Sequence, residues 1–344
     1  MKMLLPLAVT LLAASAAAVP LPPAPVIGPD KDVDGRPLPF GRQPRLPAET
    51  PAGSGRFKAV MATADALPAH VIYHPANLAR AGKLPVVAWG NGACINAGNR
   101  FRYFLTEIAS HGYLVLANGV MGNPALEVGP QENPPVRPPG SPPPPPPPPR
   151  DPNAPPTPNQ LRAPGTTTPQ QLIESIDWAI AENARPGSPL FGRIDTGRIA
   201  VMGQSCGGVQ TLRVAGDPRI STIMVWNSGV GMIPGNPANP AAVLDSIHTP
   251  VAFIHGDRNN DVAFYASEAN ARALARVPVF QAWQDGMTHL GTYGQANGGF
   301  YGKIAVAWLD WQLKGNGKAG RMFTGPDCAL CTDSSWHVFK ARID

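Results

Sequence analysis

GRIAVMGQSCGGVQTLRVAG, residues 197–216, is the stretch from which the rest of the chain is read. RIAVMG is a continuous apolar run of the kind a buried strand in a parallel sheet requires. GGVQTLRVAG behind it reads as the start of a helix. Between them Gly203-Gln204-Ser205-Cys206-Gly207 fits the pattern G-x-S-x-G. In a chain with 36 glycines three such positions arise easily by chance, so the context decides. A serine on a strained strand-to-helix turn, with glycines on both sides to leave room, is exposed as a nucleophile. Ser205 is the candidate.

Outward from this turn, strands alternate with helices. Upstream, AHVIYHPAN (69–77) and LPVVAWGNG (84–92) read as strands, NRFRYFLTEIASHGY (99–113) as a helix, and YLVLANGV (113–120) as a buried strand. Thr168, Pro169 and Gln171 form a capping box that starts the helix LIESIDWAIAENA. Downstream, ISTIMVWNSGV, TPVAFIHGD and VPVFQAWQDG read as strands, and ASEANARALARV and FYGKIAVAWLDWQLKG as helices. This alternation predicts an α/β fold with a mostly parallel, doubly wound sheet flanked by helices. Between Gly231 and His248 only AAVLDSIH can form a short helix, so no large lid domain is expected.

The N-terminus places Lys2 before the apolar run Met3 to Ala14 and a small-residue stretch, the layout of a signal peptide over residues 1–18. That run is too short to span a bilayer, and a secreted or periplasmic protein is expected. Residues 19–51 form a Pro/Gly-rich lead, and 52–344 the catalytic domain. The domain is interrupted at 123–164 by a proline-rich insertion containing the run Pro142 to Pro149, which can be neither helix nor central strand. Polyproline II on a surface loop is the expectation there, and the loop leaves the sheet at a carboxyl end. The formal net charge of +5 comes without a run of Lys and Arg interleaved with aromatics, which excludes nucleic acid as the expected partner. The four cysteines allow three pairings. Cys328 and Cys331 form a C-x-x-C without a second ligand pair, so a local disulfide is expected and no metal site.

A serine hydroxyl needs a base, and the base needs a carboxylate to fix its tautomer. In chain order these follow as serine, acid, histidine. Of seven histidines, His289 stands directly after the strand VFQAW, while His337 lies in the C-terminal tail and His255 inside a strand. The acid belongs just past TPVAFIHG, where Asp257 and Asp261 compete; Asp261 is preferred because the turn needs a few residues to swing a carboxylate toward the histidine. An oxyanion requires two backbone N–H donors, assigned to Cys206 and to the Gly90-Asn91-Gly92 turn, with Asn91 the first choice and Gly92 the alternative. Cys94 follows that turn and Cys206 follows the nucleophile, so the two are either a disulfide pinning both donors or two packed thiols.

These residues carry a resemblance. WGNGAC, FLTEIASHGYLVLANG, GQSCGG, HGDRNNDVAF and THLGTYGQANGGFYGKIAVAWLDWQLKG resemble secreted α/β-hydrolases of the dienelactone-hydrolase and polyester-hydrolase (cutinase-like) group, from about Phe57 onward. The resemblance puts the nucleophile on Ser205, the acid on Asp261 through NDVA, the base on His289 and the oxyanion donors on Asn91 and Cys206. Trp226 resembles the aromatic that lines the substrate cleft of polyester hydrolases. Dienelactone hydrolases carry a cysteine where Ser205 stands, so the resemblance implies an ester rather than their lactone. The expected activity is hydrolysis of small-molecule or polymeric carboxylic esters through an acyl-enzyme, without metal or cofactor. Acyl transfer, amide hydrolysis and a non-catalytic binding module on the same scaffold are the alternatives.

Overall fold

The pattern of alternating apolar runs is realised as a single sheet. A computed structural model describes residues 53–129, 166–233, 239–274 and 276–343. The expected signal peptide, the lead over 19–51 and the proline run Pro142 to Pro149 lie outside the described residues. The strands are β1 (Ala59–Ala62), β2 (His70–Pro75), β3 (Leu84–Gly90), β4 (Leu114–Asn118), β5 (Ile194–Gln204), β6 (Thr222–Trp226), β7 (Val251–Gly256), β8 (Val279–Gln284) and β9 (Trp336–Ala341). They lie in the order β1-β2-β4-β3-β5-β6-β7-β8-β9. From β4 to β8 every pairing is parallel; β1, β2 and β9 pair antiparallel at the two edges. β3, β4, β6 and β7 are buried at every position, which is why their sequences are unbroken apolar runs rather than alternating ones.

Helices cover both faces. α1 (Leu78–Ala81) follows β2, α2 (Arg102–Ser110) links β3 to β4, and α3 (Pro169–Ala184) leads into β5. α4 (Cys206–Val214) follows β5, α5 (Pro240–Ser246) follows β6, and α6 (Phe264–Ala273) follows β7. α7 (Gly299–Lys314) follows β8, and two single turns, α8 (Gly317–Gly320) and α9 (Ala329–Thr332), lead to β9. Successive strand residues point to opposite faces, so Val87 and Trp89 pack with α2 and α7, whereas Val86 and Ala88 pack with α3 and α4. α7 illustrates the fit: Tyr301, Ile304, Ala305, Trp308 and Leu309 recur at helical spacing and all are buried against one face. α3 starts where the sequence places it, the Thr168 N–H donating to Gln171 Oε1 at 2.8 Å with Pro169 as the first helical residue.

Two features depart from the sequence reading. The C-terminal tail adds β9 to the sheet edge, with His337 stacked on Trp283 at 5.1 Å and paired with Asp285 at 3.1 Å. Of its residues only Trp336 is buried, so the strand carries no apolar pattern to read. The stretch assigned to the insertion begins with packed residues: Leu126 is buried with Ile95 and Ala97, and Val128 donates its N–H to the Arg100 carbonyl at 2.7 Å. Proline content concealed this anchor. Between β6 and β7 the described residues hold one short helix, α5.

Candidate active site

β5, β6, β7 and β8 end in near register, with Gln204 opposite Trp226, Trp226 opposite Ile254 and Gly256 opposite Gln284. The loops leaving these ends therefore converge. Ser205 sits between β5 and α4 with φ 54 and ψ −119, a conformation that a serine adopts only under constraint. Its N–H is tied to the Trp226 carbonyl at 2.9 Å, and Ser228 Oγ donates to its carbonyl at 2.6 Å. Gly207 is the permissive residue of this turn, since a Cβ there would run into the Gly90 carbonyl.

His289 Nε2 lies 2.9 Å from Ser205 Oγ, and its Nδ1 lies 2.6 Å from Asp261 Oδ1. Main-chain bonds hold the imidazole between them: the His289 N–H donates to the Asn260 carbonyl, and Gln204 Nε2 donates to the His289 carbonyl. Asp261 is buried and its carboxylate is fully engaged. Besides His289 it accepts from the N–H of Gly256 (2.8 Å), the N–H of Ala263 (2.9 Å) and Nδ2 of Asn227 (2.7 Å). Burial alone would raise this carboxyl; the hydrogen bond and charge of His289, with the Ala263 and Asn227 donors, outweigh it and hold the group below the usual carboxylate range. An ionised Asp261 fixes the proton of neutral His289 on Nδ1, leaving Nε2 as an acceptor toward Ser205.

Asp257 has a different place. Its carboxylate accepts from the N–H groups of Asn259, Asn260 and Gly286 and from Asn260 Nδ2, so it closes the turn that carries Asp261. His255 is buried inside β7, its Nδ1 against the Gly256 carbonyl and its Nε2 against Gln281.

Cys94 and Cys206 form a disulfide that joins the turn after β3 to the residue after Ser205; Cys328 and Cys331 form a second one at α9. Two expectations need correction. The Asn91 N–H is not free to meet a ligand: it donates to Asn118 Oδ1 at 3.0 Å, and the residue is wholly buried. Trp226 does not line a cleft. It is 0% exposed, with Phe104 and Tyr301 packed on its ring at 5.2 and 5.1 Å, because the last residue of a central strand points into the layer of α2 and α7. Residues that the sequence reading passed over do meet the site: Asn227, Gln204 and Ser228. Asn227 follows Trp226 at the end of β6, and that position beside a strand exit was its one visible signal.

A concavity of about 430 Å³ lined in part by Arg56, Lys83, Arg198 and Lys314 lies at the opposite end of the strands. Lys83 precedes β3 and Gly90 ends it, so this hollow is about 20 Å from the Ser205 loops and belongs to no part of the site. Among the described residues no group of three or more His, Cys, Asp or Glu side chains is placed to hold a metal ion.

Residues 157–314 match the PETase family model, described as PET hydrolase-like. No curated protein matches the chain. The matched stretch runs from before α3 to the end of α7 and contains Ser205, Asp261 and His289. The fold is that of the α/β-hydrolases, and the resemblance to the polyester-hydrolase (cutinase-like) group is borne out. The match indicates a hydrolase acting on esters.

Proposed function

We propose that the chain is a secreted serine hydrolase that cleaves carboxylic esters through an acyl-enzyme, with Ser205 as nucleophile, His289 as general base and acid, and Asp261 as its orienting carboxylate. The observation that carries this reading is the continuous hydrogen-bonded line from Ser205 Oγ through both nitrogens of His289 to Asp261, built from three separate loops at one end of the sheet. Ser205 Oγ attacks the ester carbonyl while its proton passes to His289 Nε2. The tetrahedral intermediate collapses, the C–O bond to the alcohol breaks, and His289 returns that proton to the leaving alkoxide. Water then attacks the acyl-enzyme by the same route and releases the acid.

The oxyanion falls to the Cys206 N–H, which has no acceptor among the described residues, and to Gly92, because Asn91 is committed elsewhere. The Cys94–Cys206 disulfide ties the two donor-bearing loops together. With only α5 between β6 and β7 among the described residues, the reading extends to bulky or polymeric esters. The leader-like N-terminus and the two disulfides support export to an oxidising compartment. No helix among the described residues is long and apolar enough to cross a membrane.

The test is covalent labelling with an active-site-directed phosphonate, followed by turnover of short nitrophenyl esters, amides and a polyester film. Labelling that Ser205→Ala abolishes, with esters turned over and amides not, is the expected result. Labelling that survives Ser205→Ala removes the reading.

A further inference from the structure

We propose that Asn227 is the positioning residue that holds the Asp261 carboxylate toward His289, and that Tyr293 supports it by donating to its amide oxygen. The inference rests on the assignment of Asp261 and His289 made above.

Asn227 follows β6, is 0% exposed, and has φ 44, in the left-handed region where side chains other than glycine are uncommon. It lies beside the aromatic cluster of Trp226, Tyr293 and Tyr301. The positive φ accounts for an asparagine or glycine at this position, but burying an amide in such a place costs free energy unless its polar atoms are used. Here the amide is used throughout. Nδ2 donates to Asp261 Oδ2 at 2.7 Å and to the Thr288 carbonyl at 3.3 Å, and it lies 3.4 Å from the Tyr301 hydroxyl. Oδ1 accepts from the Tyr293 hydroxyl at 2.8 Å, and the backbone N–H donates to Ile254. One amide thus touches the acid, the residue before His289, and the loop and helix behind them.

The orientation is the consequential part. Reversed, the amide would face a carboxylate oxygen with its own oxygen, two acceptors without a proton between them. The Asp261 carboxylate and the Thr288 carbonyl, which can only accept, rule this out. The Tyr293 hydroxyl completes the arrangement by donating to Oδ1, and burial together with the nearby Tyr301 and Asp261 keeps that phenol protonated. Asp261 Oδ2 is then held by two donors, Gly256 N–H and Asn227 Nδ2, which leaves Oδ1 aimed at His289. The titratable groups facing Asp261 are His289, His255, Tyr293 and Tyr301.

The experiment compares Asn227→Leu, Asn227→Asp and Tyr293→Phe in the full chain, each checked for folding by circular dichroism, with Ser205→Ala alongside. Asn227→Asp keeps the shape and the tolerance of positive φ but replaces the amide donor with a second carboxyl that competes with His289 for a proton shared with Asp261. The expected loss is in kcat, about 10- to 100-fold for either Asn227 variant and less for Tyr293→Phe, with KM for a short nitrophenyl ester little changed. Removing a donor from the carboxylate raises the proton affinity of the Asp261–His289 pair, so the acidic limb of kcat/KM moves to higher pH in Asn227→Leu. A role in packing alone would lower stability and leave that limb in place. Folded Asn227 variants with unchanged kcat and an unchanged acidic limb overturn the inference while Ser205→Ala is still inactive. An active Ser205→Ala overturns the triad reading itself, and the inference with it.

Discussion

At the scale of single residues, two aspartates four positions apart do separate jobs because their surroundings differ. Asp261 accepts from His289, from Asn227 just past β6, from Gly256 at the end of β7 and from Ala263 in its own loop, whereas Asp257 accepts from the turn around it and from Gly286. Asp261→Asn should therefore lower kcat about ten-thousand-fold by favouring the wrong tautomer of His289, with the fold retained. Asp257→Asn should cost about 1–3 kcal/mol in urea unfolding through its lost turn bonds, with kcat changed only a few-fold. His255 sets a dependence on pH. Burial holds its imidazole below the ordinary value of 6.5, and its two nitrogens are satisfied in the neutral form by Gly256 and Gln281. Below about pH 6.5 the unfolded chain takes up a proton that the folded chain refuses, so stability falls as pH drops through the unfolded value toward the folded one, by up to about 1.4 kcal/mol per pH unit. His255→Gln should flatten the slope of unfolding free energy between pH 7.5 and 5. Asp261 acts in a lower window: its depressed carboxyl contributes stability that is present above the unfolded value and lost as pH falls through the folded one.

Among the elements, the junction of β5 and α4 carries the proposed nucleophile, and close backbone approach makes its turn possible. Gly203 and Gly207 face each other across the turn, and Gly207 lies against Gly90 at the end of β3. In an exposed helix, Gly to Ala stabilises by about 1 kcal/mol. At Gly207 the added methyl meets the Gly90 carbonyl, so overpacking wins and Gly207→Ala should destabilise by about 1–3 kcal/mol. It should also lower kcat, since it pushes the turn after β3 away from Ser205. Urea unfolding and steady-state kinetics on one preparation check both. The elements themselves were legible because each strand exit and helix start announces itself locally: an apolar run, a capping box at Thr168, a glycine-flanked serine. β9 was not legible, because an edge strand with one buried residue has no period to find.

For the whole molecule, the Cys94–Cys206 disulfide links positions 112 residues apart and joins the exits of β3 and β5. Replacing both cysteines with alanine should cost about 2–5 kcal/mol, mainly through the freedom returned to the unfolded chain, and should lower kcat by loosening the turn around Gly92. Denaturant midpoints and kinetics under oxidising conditions measure the two effects. By itself the sequence determined the alternation of strands and helices, the serine turn, the two aspartates in contention and the histidine beyond them, since each is written within a few consecutive residues. The tertiary structure decided what depends on the register between distant strands. It put Asp261 rather than Asp257 against His289, paired the cysteines, turned Trp226 into the core and withdrew the Asn91 N–H. It also brought Asn227 to Asp261 across 34 residues of chain. Periodicity tells which face of an element is buried; which loop ends meet above a sheet is fixed by strand order and register, and no local pattern records either.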